Sequence, residues 1–252
     1  AIAASGAGKP AAGQLTRPES GHFHVAKSGH FNLATTTKNV DNVDYVKYTS
    51  HPPGGQRSHL LSHDSRVDPD KIMLMGFSRG GQATLYAAMT RLNRLWNTSG
   101  VRFRAYLPFY PDCMTRYRDD TDVNGPIREF HGADDDYDPA PACAAYFERL
   151  QQAGRDATMT VFSHASHAFD MPYAMPTVVV KGAQTVRACR IVENESGELM
   201  NEATGAPFSF HDDCVQTDPH VGGNAQARDA AIVDVIAYLK TVLGGGGDAP
   251  GD

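Results

Sequence analysis

KIMLMGFSRGGQATLYAAM, from Lys71 to Met89, changes character at one residue. The run Ile72 to Met75 is short and wholly apolar, so Lys71–Met75 reads as a strand buried on both faces. Gly81 to Leu95 reads as a helix, with Ala83, Leu85, Ala87, Ala88, Leu92 and Leu95 as its packing face. Ser78 stands at the junction, and Gly76-Phe77-Ser78-Arg79-Gly80 fits G-x-S-x-G. A strand that turns at once into a helix puts its middle residue on a sharp corner, with the hydroxyl exposed above the sheet. The flanking glycines let the two backbones pass. The helix N-terminus behind the serine offers free N–H groups and partial positive charge. Ser78 is therefore a candidate nucleophile, and the Arg79 N–H a candidate oxyanion donor. The plain alternative is a glycine-rich turn with a capping serine.

Outward from this stretch, strand and helix signals alternate. Asp68-Pro69-Asp70 reads as a turn. Phe103–Phe109, Pro126–His131 and Thr158–Phe162 read as strands. Pro139–Ala153 reads as a helix closed by Gly154. Asn224 is placed to cap a helix that runs to Leu243, with Ala227, Ala231, Val235 and Leu239 on one face. Residues 163–223 read as irregular, and residues 1–65 show one short strand candidate, Val43–Tyr48. The alternation predicts an α/β fold, a mostly parallel sheet with helices on both faces. Residues 1–65 are expected to be a divergent N-terminal segment of the same domain, 66–243 the core and 244–252, GGGGDAPGD, a flexible tail.

A serine nucleophile needs a base, and the base an orienting carboxylate. Just past the Pro126–His131 strand, Gly132 to Pro139 (GADDDYDP) supplies Asp134, Asp135 and Asp136. Just past Thr158–Phe162, Ser163 to Asp170 (SHASHAFD) supplies His164 and His167. The order Ser, acid, His is that of α/β-hydrolases, and the C-terminal strand edge is where open α/β sheets build their sites.

Four stretches, RVDPDKIMLMGFSRGG, HGADDDYDPAPAC, SHASHAFD and CRIVENESGELMNEATGAPFSFHDDCV, together resemble the dienelactone hydrolase family of α/β-hydrolases. The resemblance implies the α/β-hydrolase fold. It places the family's nucleophile on Ser78, its G-x-x-D acid on Asp135 and its H-x-F-D histidine on His167. Two departures stand out. Members that open dienelactones carry a nucleophilic cysteine, so Ser78 suits general carboxylic ester hydrolysis. The family's N-terminal strands and its HG-type loop, which gives a second oxyanion N–H, have no clear counterpart; His51-Pro52-Pro53-Gly54-Gly55 is the nearest phrase, and the N-terminal part reads as shortened or divergent. An alternative from another class follows: a catalytically silent ester- or polymer-binding protein with an incomplete oxyanion hole.

Each remaining candidate also has a simpler role. Arg79 could meet a substrate carboxylate or form a structural ion pair. Tyr110 could line an acyl pocket or be an ordinary half-buried aromatic. His164 is a rival base, and Asp170 reads as a cap of the following turn. His22-Phe23-His24 with His30 could ligate a metal, but no carboxylate or cysteine follows at ligand spacing, so no metal and no cofactor are expected.

Cys113, Cys143, Cys189 and Cys214 contain no CxxC pair. Cys113 follows one strand and Cys143 opens the helix after the next, so neighbouring connections bring them together. Cys189 and Cys214 bracket the irregular segment. The expected disulfides are Cys113–Cys143 and Cys189–Cys214, which with the small, polar opening AIAASGAGKPAAG suit a periplasmic or secreted chain. The chain has 252 residues, a formal net charge of -6 and mixed signs along its length, enough for one α/β domain and with no basic stripe for nucleic acid. No apolar run is long enough for a membrane span. The expected partner is a small-molecule ester.

Overall fold

The strand before Ser78 sorts its side chains by parity, and this builds two cores. Ile72 and Leu74 join Leu85, Ala88, Leu92, Tyr146, Phe147 and Leu150 on one face. Met73 and Met75 join Leu107, Phe109, Phe130, Ala227, Ala231, Val235 and Leu239 on the other. Successive residues of a strand point to opposite faces, so a continuous apolar run is what a doubly covered strand requires. The computed structural model describes residues 30–36, 43–49, 65, 67–97, 100–171 and 175–243.

Chain order in the main body is β1 (His30–Thr36), β2 (Val43–Thr49), β3 (Met73–Phe77), α1 (Arg79–Ala88), α2 (Thr90–Trp96), β4 (Tyr106–Phe109), β5 (Thr115–Arg116), β6 (Ile127–Gly132), α3 (Ala140–Gln152) and β7 (Ala157–Phe162). A six-stranded sheet runs β2-β1-β3-β4-β6-β7. Its β3-β4-β6-β7 portion is parallel, whereas β1 and β2 form an antiparallel pair added at the β3 edge. The predicted strand Val43–Tyr48 falls within β2. The phrase His51–Gly55 and the histidines His22 and His24 lie outside the described residues.

The helix expected over Gly81–Leu95 is two helices. Met89 is extended (φ −68°, ψ 122°) and bridges to Val123. Around it the Thr90 N–H donates to the Asp122 carbonyl (2.8 Å) and the Asn124 N–H to that of Ala88 (2.9 Å). These bonds to a neighbouring loop replace helical ones, and they rotate the second helix so that Leu95, expected in the core, is 62% exposed.

Residues 163–223, expected to be irregular, contain β8 (Val178–Val179), β9 (Gln184–Thr185), β10 (Ile191–Glu193), β11 (Leu199–Asn201), β12 (Ala206–Pro207), β13 (Gln216–Thr217) and β14 (His220–Val221). A small sheet, β12-β11-β10-β5, packs over Val186, Cys189 and Ile191. Its β10–β11 hairpin turns on Asn194, whose side-chain oxygen accepts from Ser196 N–H, Ser196 Oγ and Glu198 N–H. The cysteines pair as Cys113–Cys143 and Cys189–Cys214. The first joins the connection after β4 to the first turn of α3, and the second staples the small sheet. Helix α4 (Ala225–Leu243) returns over the sheet, with the Asn224 Oδ1 accepting from the Ala227 N–H (3.0 Å) at its start.

Candidate active site

Four chain segments leave the C-terminal ends of β3, β4, β6 and β7 side by side, and the polar residues gather there. At the end of β3, Ser78 holds φ 54° and ψ −122°, outside the regions a side-chain-bearing residue prefers. Its N–H donates to the Phe109 carbonyl (3.0 Å), which ties the corner to β4. A Cβ on Gly76 would lie 2.0 Å from the Gly80 carbonyl oxygen, and one on Gly81 2.3 Å from that of Phe109. Glycine is thus required where strand and helix cross. The N–H groups of the first turn of α1, beginning at Arg79, have no intrahelical acceptor. The Arg79 side chain is exposed.

The acid and histidine loops are seated on each other by another glycine. A Cβ on Gly132 would lie 2.2 Å from the Ala165 carbonyl oxygen. Across this contact the Ala133 N–H donates to the Phe162 carbonyl and the Asp134 N–H to that of Ala165, both at 2.9 Å. Asp135 then faces inward. Its Oδ1 accepts from the Tyr137 and Asp138 N–H groups, each at 2.9 Å, and its Oδ2 lies 2.9 Å from His167 Nδ1. His167 Nε2 lies 2.9 Å from Ser78 Oγ. The structure therefore brings Ser78, His167 and Asp135 into one hydrogen-bonded line. Two rings flank the imidazole, Tyr110 and Tyr137, each with its centroid 4.7 Å away.

The other candidates fall elsewhere. His164 is exposed, 3.8 Å from the exposed Asp134. Asp136 pairs with Arg187 (2.9 Å) and His220 (2.8 Å) and so anchors the later loops. Tyr110 is only 2% exposed and donates its hydroxyl to Asp170. It packs under His167 instead of lining an open pocket, and Asp170 is buried as its acceptor rather than serving as a turn cap.

Burial and charge oppose each other at each group. For Asp135, burial pushes the pKa up, but His167 and His131 pull it down to about 2. For His167, burial favours the neutral ring, but the charge and hydrogen bond of Asp135, helped by Asp138, leave its pKa raised. Burial pushes Asp138 up to about 7, aided by nearby Asp112 and Asp135; its carboxylate lies 3.8 Å from His167 Nδ1. Burial likewise raises Asp170 to about 6, partly offset by the Tyr110 hydroxyl.

Sequence reading missed Tyr137, Asp138, Glu129 and His131. Glu129 and His131 carried a signal, two ionisable residues at strand spacing within an apolar run. Among the described residues, Glu129, His131 and Cys143 form the group whose donor atoms are close enough to hold a metal ion. The Cys143 sulfur is bonded to Cys113, and both His131 nitrogens already have partners, so this set does not fit an ion. No helix among the described residues is long and apolar enough to cross a membrane.

Parallel strands covered by helices on both faces, with a serine at a strained strand-to-helix corner above the sheet, define an α/β-hydrolase. The sequence model of the dienelactone hydrolase family matches residues 55–196, more than half of the chain, and the chain belongs to that family. Solved structures similar to it include a dienelactone hydrolase-like promiscuous phosphotriesterase, P91, from metagenomic libraries, at 16% identity over 73% of this chain and 58% of that one (TM-score 0.46). Another is MGS-M1, an α/β hydrolase from a Medee basin deep-sea metagenome, at 16% identity over 79% and 71% (TM-score 0.43). A third is a thermophilic esterase of Thermogutta terrifontis, at 19% identity over 44% and 51% (TM-score 0.35). The chain spans about half the length of several structures it matches, from 47% to 58% for three of them. Comparison with curated proteins yields no match.

Proposed function

We propose that the protein is a serine hydrolase of carboxylic esters that works through an acyl-enzyme. One observation carries this reading: Ser78 Oγ and Asp135 Oδ2 each lie 2.9 Å from opposite nitrogens of the buried His167 ring. Asp135, ionised and held by two backbone N–H groups, accepts the Nδ1 proton and leaves Nε2 free to act as base. Ser78 Oγ attacks the ester carbonyl as His167 takes its proton. The oxyanion meets the Arg79 N–H at the start of α1. His167 then returns the proton to the departing alcohol, and a water activated by the same ring releases the acid. These steps call on no cofactor.

Family membership supports a hydrolase, and esterases among the similar structures support an ester substrate. Two disulfides support an oxidising compartment, periplasmic or extracellular. Residues 66–243 are read as the catalytic core, with 1–65 a divergent part of the same domain. The test is labelling with a fluorophosphonate and mass mapping of the modified peptide. Label on Ser78, lost in His167→Ala, is expected; a folded protein that takes no label would overturn the reading.

A further inference from the structure

Beyond Asp135, two more ionisable side chains lie within ion-pair reach of the Ser78, His167 and Asp135 line. Glu129 and His131 stand on β6 with no exposed surface. They lie two residues apart and therefore on one face of the strand. His131 Nδ1 is 2.6 Å from Glu129 Oε1. His131 Nε2 is 2.6 Å from the Asp138 carbonyl oxygen and 3.4 Å from Asp135 Oδ2. A carbonyl and an ionised carboxylate only accept, so Nε2 must carry a proton. A second proton lies between Nδ1 and Glu129. The negative Asp135 on the far side of the ring draws that proton onto the imidazole. The second Glu129 oxygen is buried with no hydrogen-bond partner. A buried carboxylate so poorly satisfied is costly unless its one contact is a full charge.

We propose that Glu129 and His131 form a buried ion pair that acts as a positioning element, its imidazolium holding the Asp135 carboxylate ionised and turned toward His167. This rests on the Ser78, His167 and Asp135 reading above. Without that cation, Asp135 would face the carboxyl groups of Glu129 and Asp138 with only His167 to balance them, and would compete for the proton that His167 must take. The cation also opposes the pull of Asp135 on His167, so the ring becomes a neutral base at lower pH. Burial raises the pKa of Glu129, and the hydrogen bond and charge of His131 oppose that rise. Burial favours neutral His131, yet Asp135 and Glu129 raise its pKa to about 10, and His131 lowers that of His167. The groups facing His167 are Asp135, Asp138 and Tyr137 from the acid loop, His131 from β6, Tyr110 from the end of β4, Asp170 from the histidine loop, and Ser78. Those facing His131 are Glu129, Asp135, Asp138 and His167.

The test compares the intact protein with the double variant Glu129→Gln/His131→Gln, which removes both charges and keeps an amide donor beside Asp138. The rate of fluorophosphonate labelling at Ser78 is followed against pH, with circular dichroism to verify folding. The expected result is an acid limb moved up by about one pH unit and a plateau lowered by about tenfold. An unmoved limb in a folded variant overturns the proposal and leaves the Ser78 reading intact. Failure of the unaltered protein to label at any pH would instead strike the Ser78 reading. Nitrogen-15 NMR of the histidine side chains in the unaltered protein needs no variant. Both His131 nitrogens protonated near pH 8 is the expected spectrum, and a single protonated nitrogen there overturns the ion pair.

Discussion

Asp170 should make the protein less stable as pH rises, and Asp170→Asn should remove that loss. The carboxyl is buried beneath Tyr110, and its pKa is raised from 3.8 to about 6, chiefly by burial. In the unfolded chain it ionises near the ordinary value. Between the two, the unfolded state has released a proton that the folded state keeps, so ionisation favours unfolding. The penalty is absent well below pH 3.8, grows through the window from 3.8 to about 6, and is constant above it. Two units correspond to roughly 3 kcal/mol, reached near pH 7.5, with only about 1 kcal/mol developed near pH 4.5.

Asparagine keeps an oxygen to accept the Tyr110 hydroxyl and has no charge to bury. Any fixed packing cost of the variant is the same at both pH values. Urea unfolding of both proteins near pH 4.5 and pH 7.5 therefore isolates the titration. The variant should gain about 2 kcal/mol on the parent between those two conditions. A stability difference that stays constant with pH, or moves against the variant as pH rises, would show that Asp170 is not held in its neutral form by burial.

Gly76→Ala would drive a methyl to 2.0 Å from the Gly80 carbonyl oxygen. Backbone on both sides resists, so a loss of about 3 kcal/mol in urea unfolding is expected, with Ser78 labelling slowed in whatever folds. A parent-like midpoint would contradict the crossing geometry. Replacing Cys189 and Cys214 together by alanine opens a loop closed by a disulfide at a sequence separation of 25 and should cost about 3 kcal/mol. Ser78 should keep its labelling in that variant under conditions where it is folded. Arg91→Ala should cost about 1–3 kcal/mol, because the Glu193 side chain, only 3% exposed, loses its 2.5 Å partner. An unchanged thermal midpoint would show that Arg118, 3.8 Å away, suffices.

How far the sequence carried differs between regions for physical reasons. Around Ser78 the constraints are local. An apolar run, two glycines and a helix-forming segment leave few structures open, and the parity of Ile72 to Met75 foretold a sheet covered on both faces. Asn224 and the face Ala227, Ala231, Val235 and Leu239 were legible in the same way, and that face is buried. The break at Met89 was not legible. Its cause is pairing with residues 122–124, which no window around Met89 contains. The strands of residues 178–221, which fall in three separate small sheets, are two or three residues long, too short for periodicity to register. Their one local signal was the Asn194-Glu195-Ser196-Gly197 turn between apolar pairs. Within the site, loop composition showed that acids and histidines gather beyond β6 and β7, and the family pattern singled out Asp135 and His167. The full burial of Tyr110 was not legible, because it depends on four segments meeting beneath the histidine loop. Asp138, hidden among neighbouring acids, differs from them only by the direction it faces.

Whether Ser78 is an activated nucleophile is decided by the mass-mapped stoichiometry of fluorophosphonate labelling on the folded protein. One label per chain is expected, on the peptide holding Ser78, and none in His167→Ala or Ser78→Ala. A folded protein left unlabelled, or labelled equally well without His167, would contradict that expectation, and the first of these results would favour a silent ester-binding protein.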